Sequence, residues 1–508
     1  MGVLLLSSCS DFLDQKYHGK VFPGTYPAST DNLESMVTSL YGMTNALYFK
    51  TGSLVACMAG DDVTTLSGGN KAAFLEFDLF NAQDNNAQLY SPWNFSYAVI
   101  KQSNDIINTI DNVTTGVSAE QMKAIKDRAL GQAYFMRALA YFNLVRTFGR
   151  VPLVTKVEVD YTTSKAEFKD IYALIISDLS NAENLLPMVY SGAANLSNLE
   201  SSTAYARVTS GAAKALMASV YLTMAGYPLK DESNYAKAAA KAKEIIDNES
   251  AYGYTLLPMT QLWKWQNGWK NTANAEGVFT CFFNTSSDWI GEGTNGNMLA
   301  PGMTPSEATG WNDAFAELDF YNEFPAGPRK DATFLTEVVK TNGTVIIPWT
   351  QFESKHPHYK KYMEMEGFDP KNMDNYIDWW SSRTIPVIRY SEVLLVYAEA
   401  QAMANGAPND LAYTCINRVR NRAGLANMTS NLSSTAFKDS VVTERKWEFA
   451  GLEPNARWFD MVRTETVQAA TSKRSPSDIP VVGQPNDQTH TGYFAPTPQG
   501  DKQLNTGL

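Results

Sequence analysis

The stretch Ile388–Met403, IRYSEVLLVYAEAQAM, and its continuation across Asn405-Gly406 into Asp410–Ala423, DLAYTCINRVRNRA, decide the fold. Leu411, Cys415 and Val419 recur at helical spacing and form one apolar stripe, so the two segments are a helix pair on a short link. The same arrangement stands earlier in the chain. Val208–Ala225 places Ala213, Leu216, Val220 and Met224 on one face, and Tyr235–Asp247 places Ala239, Ala242 and Ile246 on one face. Gly226, Pro228 and Asp231 occupy the turn between them.

Small residues at the expected contacts, Ala215, Ala218, Ala238 and Ala242, let two helix backbones approach closely. That is the tetratricopeptide style of packing, here degenerate and interrupted by insertions. Met122–Phe148 is apolar on two adjoining faces, which predicts a helix buried on most sides and stopped by Gly149. A further helix is expected over Glu167–Leu186, ended by Pro187. The fold class is therefore mostly α: a tetratricopeptide-like helical-repeat scaffold.

Residues 252–383 read differently. They are rich in Gly, Asn, Pro and Trp, with brief β-like runs at Val278–Phe283 and Thr344–Ile347. A stretch this long without sustained periodicity is expected to have work of its own. The expected organisation is a residual signal peptide over 1–8, a helical region over 9–251, an irregular loop-rich binding subdomain over 252–383, and a helical region with an extended tail over 384–508.

The 508 residues are 44% hydrophobic and 19% charged, the make-up of an ordered globular protein. A net charge of −11 without any Lys/Arg cluster argues against nucleic acid as a ligand. The four histidines are scattered, and His356-Pro357-His358 is a loop sooner than a zinc pair. Cys281 and Cys415 fall on apolar segments as buried small hydrophobes. No GxSxG, HExxH or P-loop pattern occurs.

Leu6-Ser7-Ser8-Cys9 has the aliphatic-small-small-Cys pattern of bacterial lipoprotein processing, which makes Cys9 the expected lipidation site. Several acyl chains on one residue hold a protein stably at a bilayer. Only Val3–Leu6 precede it as an apolar core, so the chain is expected to begin inside its signal peptide.

Several segments, in order along nearly the whole chain, together resemble the SusD/RagB family of outer-membrane nutrient-binding lipoproteins. Cys9-Ser10-Asp11-Phe12-Leu13-Asp14 is similar to its N-terminal start, and Ala138–Gly149 with Val151-Pro152-Leu153 to its first long helix and exit turn. Arg389–Ala400 resembles its most distinctive helix, and Ile416–Leu425 the partner helix. Glu444–Phe449 followed by Arg457–Arg463 resembles its late charged motif, and Pro496-Thr497-Pro498-Gln499 its closing pattern. The link Ala450–Ala456 departs from the family by being longer.

The resemblance implies four tetratricopeptide-like helix pairs with an irregular half carrying the ligand surface. It implies a surface-exposed, lipid-anchored protein of the outer membrane that caps a SusC-like TonB-dependent transporter barrel. Such a protein captures glycans, or peptides in some branches, and does no chemistry. No cofactor is expected, with structural calcium left open. A lipid-anchored glycosidase is the remaining alternative, and it would need two carboxylates at a defined separation.

Binding a sugar requires aromatic faces for its C–H surface and planar polar side chains for its hydroxyls. The 11 tryptophans offer candidates in the irregular stretch: Trp263 and Trp265, which alternate, and Trp289 and Trp311, which flank Gly291–Gly296. Asp288 and Asn295 are the expected rim groups. The resemblance also places ligand contacts near Ser67–Lys71, which adds Asn70 and Lys71, and near Asn81–Asn86, which adds Asn85. Trp93 begins a helix and is expected to pack, and Asp61-Asp62 is expected to cap a loop. Glu444 and Glu448 share a helix face at i,i+4, where two carboxylates could share a proton. The reading preferred here is a buried structural network, with Arg445 and Arg457 neutralising them among aromatic neighbours.

Overall fold

A computed structural model describes residues 26–48, 60–158, 160–190, 206–263, 275–282, 304–363, 368–376, 384–451, 453–454 and 457–508. Its long helices are α1 (Thr30–Leu47), α2 (Tyr90–Thr109), α3 (Ala119–Phe148), α4 (Phe168–Leu185), α5 (Ser210–Ala225), α6 (Asn234–Ile246), α7 (Tyr390–Asn405), α8 (Asp410–Arg422) and α9 (Ser434–Glu448). The ends follow from local chemistry. Ser118 and Gln121 form a reciprocal capping box at the start of α3, and Gly149, at φ 72°, closes it. Thr209, Asn409 and Ser433 cap α5, α8 and α9 by accepting a backbone N–H three residues on.

From α1 to α8 each long helix packs against its successor, the sequential arrangement that paired helices expect. Gly131 on α3 shows how tight these contacts are. A Cβ there would lie 2.7 Å from Leu186 Cγ, so only a glycine lets the end of α4 close on α3. Helix α7 touches α5, α6, α8 and α9, and every residue from Tyr390 to Ala402 is buried. None of the described helices is long and apolar enough to cross a membrane.

The irregular half is stitched together by short antiparallel strand pairs. These are β1 (Val63–Thr64) with β3 (Phe315–Ala316), β2 (Gly277–Cys281) with β8 (Ile385–Arg389), β4 (Phe334–Leu335) with β7 (His358–Tyr359), and β5 (Glu337–Lys340) with β6 (Val345–Pro348). The β2–β8 pair ties the stretch after residue 252 to the start of α7, with Gly277 opposite Arg389. A small separate core of Ala308, Leu335, Val338, Phe352, Met363, Met373 and Tyr376 lies under this half. Its burial adds hydrophobic stabilisation to that of the main helical core.

Candidate functional site

Pairing of β1 with β3 sets Val63 opposite Ala316 and Thr64 opposite Phe315. Because the strands are antiparallel, the loop leaving β1 and the loop entering β3 emerge at the same end. Thr65 extends the join by donating its hydroxyl to the Asp313 carbonyl at 2.7 Å. Between the two loops lies an open hollow of about 580 Å³. Leu66–Lys71 form one wall; Ser306, Gly310, Trp311 and Asn312 form the other, with Glu353 beside them. This size suits a ligand of a few sugar or amino-acid units.

The second wall has an unusual backbone. Thr309 and Asn312 are left-handed, at φ 61° and 54°. Asn tolerates that region because its short side chain adds little steric penalty. Gly310 is needed for another reason: a Cβ there would sit 2.1 Å from the Thr304 carbonyl oxygen. The tight turn thrusts Trp311 outward, where the indole is 41% exposed. Ala308 and Phe352, buried in the small core, hold this wall and the Glu353 segment on one foundation.

Electrostatically the described walls set one ion-paired cation and further carboxylates around the hollow. Lys71 is buried and ion-paired with Asp313, whose side chain is also buried. Asn312 donates from Nδ2 to Glu353 Oε2 at 3.0 Å, and the Glu353 backbone N–H donates to Glu307 Oε1 at 2.7 Å. Asn312 Oδ1 is buried without a hydrogen-bond donor.

Of the sequence candidates, Trp311, Asn70 and Lys71 come together here although some 240 residues of chain lie between them. Trp263 is elsewhere: it is buried, with Lys361 Nζ 5.0 Å and Arg389 Cζ 5.3 Å from its ring. Asn85 is exposed and lies outside the hollow. Cys9, Trp265, Asp288, Trp289 and Asn295 lie outside the described residues. Trp93 packs as expected, 2% exposed and edge-on to Phe148. It floors a second, more apolar hollow of about 360 Å³ between α2 and the C-terminal helix Gln499–Leu504. Glu353, Ser306 and Gly310 were not legible as site residues, since nothing in a short polar run marks which wall it will join.

The late charged motif is a buried network, with partners other than its sequence neighbours. Glu444 binds Arg329 at 2.6 Å and Arg420 at 3.0 Å. Glu448 binds Arg389 at 2.6 Å, Arg329 at 3.1 Å, and Arg422. Arg389 also reaches Glu276 and Glu453, and Lys361 pairs with Glu453. Arg445 and Arg457 instead serve Asp460 and Asp61. Burial alone would push the Glu448 carboxyl up, but Arg422, Arg389 and Arg329 hold it far below the usual carboxylate range. A carboxylate so held does not shuttle protons.

Asp61 and Asp62 do not cap a loop either. Arg457 and then Lys446, working against burial, draw Asp61 down to about 2. Burial and then the Asp61 charge push Asp62 up to about 6 while its Oδ2 accepts from the Gly451 N–H at 2.7 Å. Among the described residues no group of three His, Cys, Asp or Glu is placed to hold a metal ion.

Comparisons with known proteins agree with this fold. A family profile described as the SusD family matches residues 195–508. Another, described as starch-binding associating with outer membrane, matches residues 11–222. SusD-like protein P2 of Formosa agariphila is 26% identical, over 100% of this chain and 96% of its own. A crystal structure of a SusD homolog from Bacteroides thetaiotaomicron is similar with TM-score 0.72 at 22% identity, covering 95% of this chain and 97% of that one. A laminarin-binding SusD-like protein is similar with TM-score 0.70 at 21% identity, covering 94% and 98%.

Proposed function

The chain belongs to the SusD family, and on that premise we propose that it is a non-catalytic, surface-tethered glycan-binding protein of the outer membrane. It takes up oligosaccharide in the hollow between Leu66–Lys71 and Ser306–Asn312 and delivers it to a SusC-like TonB-dependent transporter barrel. The observation that carries the proposal is Trp311: a large aromatic face held in the open by a strained turn, beside Asn70, Asn312 and Glu353. An indole exposed at a polar hollow is the stacking platform a pyranose needs. The laminarin-binding relative supports a sugar as ligand. The buried, fully engaged carboxylates of the charged motif support a protein that binds and releases without bond cleavage. Acylation of Cys9 supplies the tether, and holding ligand beside the pore raises its local concentration.

The test uses soluble protein beginning after Cys9, native electrophoresis through gels containing polysaccharides, and a reducing-end assay on the same mixtures. Retardation without release of reducing ends is expected. Trp311→Ala should weaken binding about tenfold, the worth of one stacked ring, and shift the melting temperature by less than about 2 °C. Undiminished retardation in Trp311→Ala would move the site elsewhere, and accumulating reducing ends would make the protein an enzyme.

A further inference from the structure

Resting on that reading of the hollow, we infer that its ligand is an uncharged glycan, and that the site discriminates against uronate-bearing and sulfated polysaccharides.

Three observations lead there. Among the described residues of the walls the one cation, Lys71, is ion-paired with Asp313 and only 6% exposed, so its charge is already matched before a ligand anion arrives. Glu353, in contrast, is exposed at the hollow and has no cationic partner among the described residues. Glu307 stands behind it, accepting from its backbone N–H. One neutralised cation against the Glu353 and Glu307 carboxylates sets a negative potential where the ligand lies.

Hydrogen-bonding capacity points the same way. Glu353 only accepts. The Asn312 amide is oriented by its bond to Glu353: turned over, it would bring two oxygens to 3.0 Å, so Nδ2 faces the carboxylate and Oδ1 faces away. That Oδ1 is buried against the wall and lacks a donor. The acceptor that faces the hollow is the exposed Glu353 carboxylate, to which a sugar hydroxyl donates. Sulfate and carboxylate groups only accept, so they would add a second unmatched acceptor and a repelled charge.

Affinity electrophoresis decides it, with laminarin, xyloglucan, galactomannan, polygalacturonate and carrageenan as probes, at about 20 mM and about 300 mM salt. The expected result is retardation by at least one neutral polymer, with polygalacturonate and carrageenan at least about tenfold weaker at low salt and the gap narrowing at high salt. Trp311→Ala should weaken the neutral retardation about tenfold. Glu353→Gln, which keeps the acceptor and removes the charge, should narrow the neutral-to-anionic gap about threefold. An anionic polymer bound as tightly as every neutral one at low salt would overturn the inference and leave glycan binding standing. Neutral retardation undiminished in Trp311→Ala would overturn it for this hollow. Failure of every polymer, with capture of peptides instead, would overturn this inference and the glycan reading together.

Discussion

Replacing Glu448 by Gln tests whether the late charged motif is architecture. The motif's interior contains five cations (Arg329, Arg389, Arg420, Arg422 and Lys361) and four carboxylates (Glu276, Glu444, Glu448 and Glu453), with the Glu448 side chain 0% exposed. The substitution keeps the shape and raises the buried positive excess from one charge to two. Breaking a buried pair costs about 3–5 kcal/mol. With an unfolding entropy of about 2.1 cal/mol/K per residue, a chain of 508 residues changes by about 1 kcal/mol per degree if it melts as one unit. Glu448→Gln should therefore lower the melting temperature by about 3–5 °C at neutral pH. Its pH dependence is a second, sharper readout. A carboxyl whose pKa is depressed in the fold gives stability that is present above its unfolded value and lost as pH falls toward the folded one. Glu448 is such a group, so the wild-type advantage should be full at about pH 6 and above and shrink steadily below about pH 4.5. Calorimetry at several pH values measures both. A difference under about 1 °C at neutral pH, or one that stays constant into acid, would refute the reasoning.

Lys71→Met removes the cation paired with a buried Asp313 and should cost about 3 kcal/mol in denaturant unfolding, with Lys71→Met/Asp313→Asn recovering most of it; additive losses would mean the pair is not coupled. Gly310→Ala pushes a methyl into the Thr304 carbonyl and should reduce glycan affinity at least about tenfold while leaving the helical core's melting within about 2 °C; normal affinity would show that the turn does not set Trp311. Glu317, buried and accepting from the Phe320 and Ser475 backbone N–H groups, is raised to about 7, first by burial and further by Asp478. A raised carboxyl pKa contributes stability that is complete below about pH 4.5 and lost as pH rises through about 7. Glu317→Gln should therefore gain about 1–3 kcal/mol relative to wild type between pH 5 and pH 8, and parallel stability curves would exclude that titration.

How far these features could be read in advance depended on the range over which each is encoded. The helices were legible because their signals are local. Ala213, Leu216 and Val220 mark a face, Gly149 marks a stop, and the observed ends of α3 to α8 fall within three residues of the expected ones. The two strands that build the hollow have two residues each, too short for any period, and nothing in Val63-Thr64 announces Phe315-Ala316. Trp311, Asn70 and Lys71 could thus be named singly, by residue chemistry and by resemblance, but their convergence could not. Glu353 and Gly310 were missed for the same reason.

The charged motif shows the same limit from the other side. Spacing correctly put Glu444 and Glu448 on one helix face, and it also made Arg445 and Arg457 the nearest cations on paper. In the fold, Arg445 turns to Asp460 at 2.7 Å and Arg457 to Asp61 at 2.9 Å. The glutamates meet cations from β8, α8 and Pro328–Thr333, up to 119 residues away. Each such pair joins two segments that share no other local signal. Glu276 and Glu448 both bind Arg389 and Arg422, so the β2 end, the β8 end, α8 and α9 meet at one point. Removing any of the four carboxylates enlarges the uncompensated positive charge in a dry interior, and the pairs form only if every segment is in register. Ionic chemistry resembling an active site in sequence therefore acts in this protein as a check on assembly.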